Sequence, residues 1–572
     1  MRGRPLLWAI GAWAASLFLL CLIVHARFAL TIDTANPKAV IASVWSRGEL
    51  VGRAVIAHAG DRDAALDAAM AAHPGATLVY ESVVGAGPVM LYPEAALALS
   101  FVPGRDGLGG TIGEHTAYVT PDELLARQSY DHGFELPGNL GVQTGLDTPI
   151  ALALLADRLA TTVPDLFAKG RIERIRVVRT TPGPTPGGPP AAAITAAITA
   201  ESLSAADVRD GAIAAGRYLA RGIDGDGRFR YLVDAPTNRT LPGYDWPRHA
   251  GATYFLAQVA ALTHDRDVSY AALRAGSFLR DHAMVDCGST RCIGSDPVVD
   301  LGSAALTVIA FVEIARTGLD PGYAVILPPL TAFLRGQQRP DGEFMHQYDR
   351  RTSQPIDIQL LYYSGEAALA LARAHSLSGD ARDLAAASSS VAYLAGRGWN
   401  FFGSRYYFGE EHWTCQAMDD LWARAPNPAA LDFCLRWLEY GRALQYGPSD
   451  TAFDADGAYG VSPVITPRLT PAGSRSEAGI ATLDAARRAG MAPQALAPLE
   501  TQLRRALAML LRHQLREGPG GASHLMADPR AVAGALPGSE VDWQLRIDYA
   551  QHTGSALLRW LEVDQVAAPA AH

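Results

Sequence analysis

Lysine is almost missing from this chain of 572 residues: Lys38 and Lys169 are the only two among 49 basic side chains, the rest being arginine. Acidic residues number 58, which sets the net charge at −9. A chain of that sign lacks the basic face that neutralises phosphates, so nucleic acid is excluded as its main partner. Charged residues are only 19% and hydrophobic ones 49%, a composition too apolar for disorder and ample for a core. No Walker A loop, no G-x-G-x-x-G after a strand, no H-E-x-x-H and no G-x-S-x-G elbow occurs. Nucleotide-driven chemistry and serine hydrolysis therefore lack support, and no cofactor is expected. Cysteine is scarce, at five. Cys287 and Cys292 bracket a short polar loop, which predicts a local disulfide in an oxidising compartment. Cys415 and Cys434 lie in helical, apolar segments and read as buried thiols, with a second disulfide as the alternative. No histidine or cysteine pair stands at ligand spacing near the first two, and no metal site is expected.

Long apolar runs are also few, and the one at the start is distinctive. Arg2 and Arg4 precede Leu6–Val24, which carries no charge. At ~1.5 Å per residue this run spans roughly 28 Å, close to the ~30 Å hydrocarbon core. The His25-Ala26-Arg27-Phe28 segment after it lacks a small-x-small cleavage site. Residues 1–27 thus read as a cytoplasmic stub and an uncleaved signal anchor. The basic end stays inside and the body lies in the periplasm or extracellular space, on a single pass through the inner (cytoplasmic) membrane.

Residues 38–178 read as a small α/β domain. A hairpin is expected over Val40–Val44 and Val51–His58, a helix over Arg62–His73, and strands at Leu78–Val83, Leu97–Val102 and Ile172–Arg179. A turn-rich run at Gly104–Leu108 and a proline-led helix from Pro121 fall between them. Residues 179–200 are rich in Pro, Gly and Ala and read as a linker. From 201 to 565 the pattern becomes helix after helix. Six amphipathic segments (203–222, 268–283, 321–338, 381–396, 427–441, 493–515) alternate with six that open on small residues (249–263, 301–316, 361–377, 412–424, 475–489, 548–562). Two alternating sets of six close naturally into a double ring. Links into the small-residue helices are long and rich in Trp, Tyr, Asp and His, so one mouth is furnished and the other plain.

At Tyr362-Tyr-Ser-Gly-Glu-Ala-Ala-Leu-Ala-Leu to Gly379-Asp380, and at the D-G-x-F turns Asp224–Phe229 and Gln337–Phe344, the chain resembles the six-hairpin (α/α)6 toroid proteins. That group includes glycoside hydrolases, N-acylglucosamine 2-epimerase-like enzymes, glucuronyl C5-epimerases and some polysaccharide lyases. The resemblance implies a mainly α fold: a C-terminal (α/α)6 toroid of twelve helices, preceded by the small α/β domain and one N-terminal transmembrane helix. Residues 38–178 resemble the AMMECR domain family in their order of hairpin, helix, G-x-D-G-L turn and proline-led helix. That family's L-R-G-C-I-G signature would fall on Leu50–Val55, without its cysteine.

The furnished loops supply the candidate chemistry. In Tyr244-Asp-Trp-Pro-Arg-His249, His249 reads as acid/base with Asp245 beside it, Arg248 as a grip on an anion, and Tyr244 and Trp246 as sugar contacts. Asp245 and His249 equally fit as residues that cap a helix. Asp357 is a candidate acid, with Tyr362 and Tyr363 as stacking groups. Tyr406, Glu411, His412 and Trp413 combine aromatic and acidic groups as a subsite does. Arg475 begins the fifth small-residue helix, while Trp543, Arg546 and Asp548 lead into the sixth, where Asp548 and His552 form an i, i+4 pair. Convergence of Arg248, Arg475 and Arg546 would indicate an anionic substrate. The expectation is a membrane-anchored, extracytoplasmic protein that hydrolyses or epimerises an envelope or extracellular polysaccharide. The alternative is a non-catalytic toroid that binds glycan or a partner protein in envelope polymer assembly, favoured if Trp246, Trp413 or Trp543 plugs the mouth.

Overall fold

The computed structural model describes residues 28–92, 97, 100–130, 133–136, 140–143, 145–181, 191–192, 198–398, 412–451, 454–460, 465–517 and 522–567. The predicted signal anchor lies outside the described residues. Among those described, no helix is long and apolar enough to cross a membrane.

The first part is an antiparallel sheet. Its strands are β1 (Val40–Ser46), β2 (Glu49–Ile56), β3 (Thr77–Gly87), β4 (Asp106–Ile112), β5 (His115–Val119) and, after a small hairpin of β6 (Gly133–Leu136) and β7 (Leu140–Gln143), β8 (Arg171–Thr181). Their spatial order is β2-β1-β3-β8-β4-β5. Helix α1 (Ala64–Ala72) starts where Asp63 accepts the amides of Ala65 and Leu66, and packs on β1 and β2. Helices α2 (Pro121–Ala126), α3 (Thr148–Arg158) and α4 (Val163–Lys169) complete the domain. None of the described residues in the apolar run Leu97–Val102 is in a strand. Leu97 and Phe101 enter the core from a turn in which the Ser100 amide donates to the Leu97 carbonyl. The strand begins instead inside the run expected to be a turn, because Arg174 and Arg176 of β8 both engage the buried Asp106 carboxylate. Strand β8 continues to Thr181, and β9 (Ala191–Ala192) pairs back on it, so the Pro/Gly segment starts and ends on the sheet.

Among the described residues, twelve α-helices in two sets follow, with one further short α-helix, Pro529–Val532, before the last of them. The inner set is α6 (Trp246–Thr263), α8 (Leu301–Arg316), α10 (Tyr363–Ser378), α12 (His412–Leu421), α14 (Thr470–Arg488) and α16 (Ile547–Ala567). Each packs on the next, and α16 returns to α6, so the ring is closed. The outer set is α5 (Ala205–Arg221), α7 (Arg266–Phe278), α9 (Leu327–Gly336), α11 (Ala381–Tyr393), α13 (Pro428–Ala443) and α15 (Pro493–His513). The chain is therefore mainly α, with an (α/α)6 toroid as its C-terminal part. Glycine allows the inner helices to crowd: a Cβ on Gly365 would stand 2.9 Å from Trp413 Cβ and Thr414 N of the next inner helix.

The D-G-x-F turns lock the outer ring. Isolated bridges Ile223–Phe229, Gln338–Phe344 and Gln445–Tyr459 close three such turns. Gly227, Gly342 and Gly457 take φ values of +97, +99 and +94° and press on the backbone of the following outer helix, at Arg274, Ser389 and Arg505. The turn at Gln445–Tyr459 carries tyrosine in place of phenylalanine and escapes the sequence pattern.

Both cysteine pairs are joined: Cys287 to Cys292, as expected, and Cys415 to Cys434. The second corrects the buried-thiol reading. Helices α12 and α13 pack together and bring the two Cα atoms to 5.8 Å, within disulfide range.

Candidate functional site

The long links deliver their side chains to the N-terminal ends of the inner helices. A cavity of about 620 Å³ opens there. Its lining includes Asp245, Arg248, Tyr362, Tyr363, Glu366, His412, Trp413, Arg475, Arg546, Asp548 and His552, with Arg468 and Gln551. Residues at the starts of five of the six inner helices thus converge, and Trp413 lines the cavity without filling it. Glu411 and Tyr406 lie outside the described residues. The opposite end of the ring is not plain. A second cavity of about 280 Å³ lies there, among Glu313, Arg316, Arg373, Asp420, Arg559 and Glu562 at the far ends of the inner helices.

Three predicted groups line neither the main cavity nor the groove beside it. His249 is enclosed: Nδ1 meets the Tyr244 hydroxyl at 2.6 Å, Nε2 meets the Ala275 carbonyl at 3.0 Å, and the ring stacks on Phe278. Burial, against the opposing pull of that carbonyl, drives its pKa down to about 4, which leaves a neutral structural ring rather than a solvent-facing acid/base. Asp357 is outside the cavity and pairs with Arg339 at 3.2 Å across a surface turn. Trp543 is buried and donates its indole N–H to the Glu540 carbonyl. All three follow from helix phase and loop path, which the residue types alone do not reveal. Tyr244 and Trp246 line a neighbouring groove instead.

Asp245 caps α6 by accepting the Arg248 amide, and its carboxylate pairs with the Arg248 guanidinium at 2.9 Å. Arg248 also reaches Asp548 at 3.2 Å and the Tyr231 hydroxyl at 3.1 Å. Arg546 grips Asp548 through two bonds of 2.6 and 2.8 Å. Burial raises the Asp548 pKa, but the two guanidiniums outweigh it and hold the carboxyl below its ordinary value. The arginines do converge, and carboxylates already offset much of their charge. Arg475 lies 4.8 Å over the Tyr459 ring.

The centre of the cavity is imidazole. His412 and His552 have ring centroids 5.6 Å apart, with Trp413 packed at 4.7 Å from the first and 5.8 Å from the second. The Tyr362 ring meets His412 edge-on at 5.3 Å. His552 does not pair with Asp548, its i, i+4 neighbour. Its Nδ1 lies 2.7 Å from Glu477 Oε2 on the adjacent inner helix. Tyr254 donates its hydroxyl to Glu477 Oε1 at 3.3 Å, and Gln551 donates to the same oxygen at 3.4 Å. Burial opposes charging of His552, yet the Glu477 carboxylate more than compensates, and the ring's pKa is raised. In the sequence Glu477 stands out only as a helix-start residue, and His552 as the i, i+4 partner of Asp548. The signal that singles them out is position: each directly precedes small residues near the start of an inner helix, in Glu477-Ala-Gly and His552-Thr-Gly.

Donor atoms of His412, Glu477 and His552 lie within 4.8 Å of one another. This is a set that zinc chemistry can use, although the spacing along the chain announces nothing. The direct His552–Glu477 hydrogen bond occupies two of its three donors. Behind the next loop, the buried His346 accepts the Leu360 amide on Nδ1 and meets Ser364 Oγ at 2.6 Å, while Ser364 donates to Glu343. This network fixes the loop that presents Tyr362, whose φ is +75°.

No family model and no curated protein sequence matches the chain. Among solved structures, the chain is similar to a D-mannose isomerase at 13% identity, over 63% of this chain and 97% of that one, with a TM-score of 0.47. It is similar to the cellobiose 2-epimerase of Spirochaeta thermophila DSM 6192 at 14% identity, over 64% and 98%, with a TM-score of 0.47. A third similar structure is an unsaturated glucuronyl hydrolase specific for heparin, at 12% identity over 63% and 99%, with a TM-score of 0.45.

Proposed function

We propose that this chain is a carbohydrate-active enzyme of the epimerase or isomerase kind, which moves a proton at a sugar carbon in the toroid mouth. The observation that carries this reading is the pair of imidazoles, 5.6 Å apart in one cavity, with Glu477 behind one of them. Proton abstraction next to a carbonyl needs a base poised near neutral pH and an acid to return the proton. His412 and His552 supply both roles. Glu477 fixes the tautomer and orientation of His552 and stabilises its charged form. Tyr362 and Trp413 offer faces for the sugar CH groups, and Arg248 and Arg546 offer hydrogen bonds to its oxygens.

Hydrolysis fits less well. A glycosidase needs one carboxyl that keeps its proton, with a raised pKa. Of the acids put forward from the sequence, Asp548 is held ionised by two arginines, Asp245 is paired with Arg248 and Asp357 is elsewhere; Asp300, whose carboxyl burial pushes above its ordinary value, lines the adjoining groove rather than the cavity that holds the imidazoles.

The anchored, extracytoplasmic location belongs to this proposal. Two disulfides support an oxidising compartment, and the apolar run Leu6–Val24 supports a signal anchor at the inner membrane. An envelope or extracellular polysaccharide, or an oligosaccharide from it, is then the substrate within reach.

The test is to incubate the protein with a panel of neutral and acidic glycans in heavy water and to read the products by mass spectrometry. Intact sugars carrying solvent deuterium are expected. Shortened chains, or unsaturated ends, without deuterium in the intact sugar would overturn the reading in favour of hydrolysis or elimination.

A further inference from the structure

A second hollow of about 450 Å³ adjoins the mouth, and Asp245 and Pro247 line both. Its floor is aromatic. Tyr244, Trp246 and Phe278 are each half-buried; the Tyr244 and Trp246 rings meet edge-on at 5.7 Å, and the Trp246 and Phe278 rings are tilted at 6.0 Å. The Arg228 guanidinium lies 4.5 Å over the Tyr244 ring. The walls are polar: Ser295, Asp296, Asp300 and Ser303 face Asp245 and Arg228. This groove is absent from the proton-transfer site. It holds neither of the two imidazoles nor Glu477.

We propose that this groove is a saccharide subsite, so that the substrate is a chain of at least two sugar units, lying across Asp245 with one unit between the imidazoles and the next against Trp246. This rests on the carbohydrate reading of the mouth. Continuity comes from the shared wall. Aromatic faces pack on the CH groups of a pyranose, and carboxylates and serines accept or donate to its hydroxyls. Charge selects the kind of unit. Four arginines (Arg248, Arg468, Arg475, Arg546) line the mouth with three carboxylates (Asp245, Glu366, Asp548), whereas the groove sets the shared Asp245 with Asp296 and Asp300 against Arg228 alone, so the balance of charge is more negative in the groove. An anionic sugar is repelled there. The groove takes a uronate-free unit: a neutral hexose, an N-acetylated hexosamine or a free amino sugar.

The experiment uses the full chain in detergent with two ladders of one to six units: N-acetylglucosamine oligomers and galacturonate oligomers. Dissociation constants are measured for the native chain, Trp246→Ala and Asp296→Arg. Asp296 is an exposed loop residue, so its replacement leaves the helices untouched even if Trp246→Ala impairs folding. Affinity is expected to rise about tenfold from the monosaccharide to the trisaccharide in the amino-sugar ladder, by the added stacking surface, and to rise far less in the uronate ladder. Both variants should lose that gain. Affinity independent of chain length, a gain that survives both variants, an equal gain for uronates, or no binding by either ladder would each overturn the proposal. Failure of the proton-transfer reading shows separately, as bound sugar that takes up no solvent deuterium while the length dependence persists.

Discussion

Glu477 shares its carboxylate between His552 on one side and Tyr254 with Gln551 on the other, so its replacement acts first on the proton affinity of His552. In Glu477→Gln the burial of His552 is no longer opposed by that charge. Its pKa should fall from above the ordinary 6.5 to below it, followed by ring NMR against pH. His552→Gln removes the proposed acid/base and should lower kcat by about 10²–10⁴-fold, with the fold unchanged by circular dichroism. The two enclosed histidines have the opposite consequence. His249 and His346 are held near pKa 4 by burial, while their unfolded value is 6.5. Between those limits the unfolded chain binds more protons than the folded one, so stability falls as pH falls, by up to about 3 kcal/mol per ring. Thermal melts should show Tm dropping from pH 7 to pH 5; a flat Tm would contradict this. At this scale the sequence was only partly legible. His249 and His412 look alike in their motifs, each at the head of a small-residue helix. Yet a Phe278 stack and the Ala275 carbonyl enclose the first, and the cavity receives the second. Which way a helix-start residue faces depends on helix phase, and no local pattern states it.

The elements were far more legible. Each of the twelve toroid helices coincides with a segment expected from 3.6-residue periodicity and small-residue openings, six inside the expected bounds and six running past them by one to five residues, because both signals follow from burial against one axis. The errors occur where a tertiary partner decides. Asp106 needs two arginines of β8 to become a strand residue, and Cys415 meets Cys434 only when α12 packs on α13. Two stability predictions belong here. In Gly365→Ala a new Cβ would stand 2.9 Å from Trp413 Cβ on α12, so the helices must part. The cost should be about 1–3 kcal/mol in chemical denaturation, with activity reduced because Trp413 and His412 move together. Opening Cys415–Cys434, which are 19 residues apart, by Cys434→Ala should cost about 3 kcal/mol.

At the scale of the whole molecule, the sheet domain and the toroid share one apolar core, and their contact includes charge. Asp122 of α2 accepts from His524 at 2.7 Å and is paired with Arg179; Trp45 lies edge-on to His524 at 5.8 Å; Arg105 pairs with Glu540 at 3.2 Å. Burial raises the Asp122 pKa, but Arg179 and His524 pull it down to about 2, so the joint keeps its negative partner through mild acid. His524→Ala leaves that carboxylate with one hydrogen-bond partner fewer. Limited proteolysis of the variant should separate the sheet domain from the toroid faster than in the native chain. An unchanged rate would show that the joint does not depend on this pair. Docked in this way, the sheet domain bears on the segment 522–547, which leads into α16 and so to Asp548 and His552. The account stands most directly on those groups. The decisive measurement is solvent-deuterium uptake into intact glycans by the native chain beside His412→Gln, His552→Gln and Glu477→Gln. Uptake by the native chain, abolished in both histidine variants and slowed in the glutamate variant, is what the account predicts. Uptake that persists in both histidine variants would contradict it.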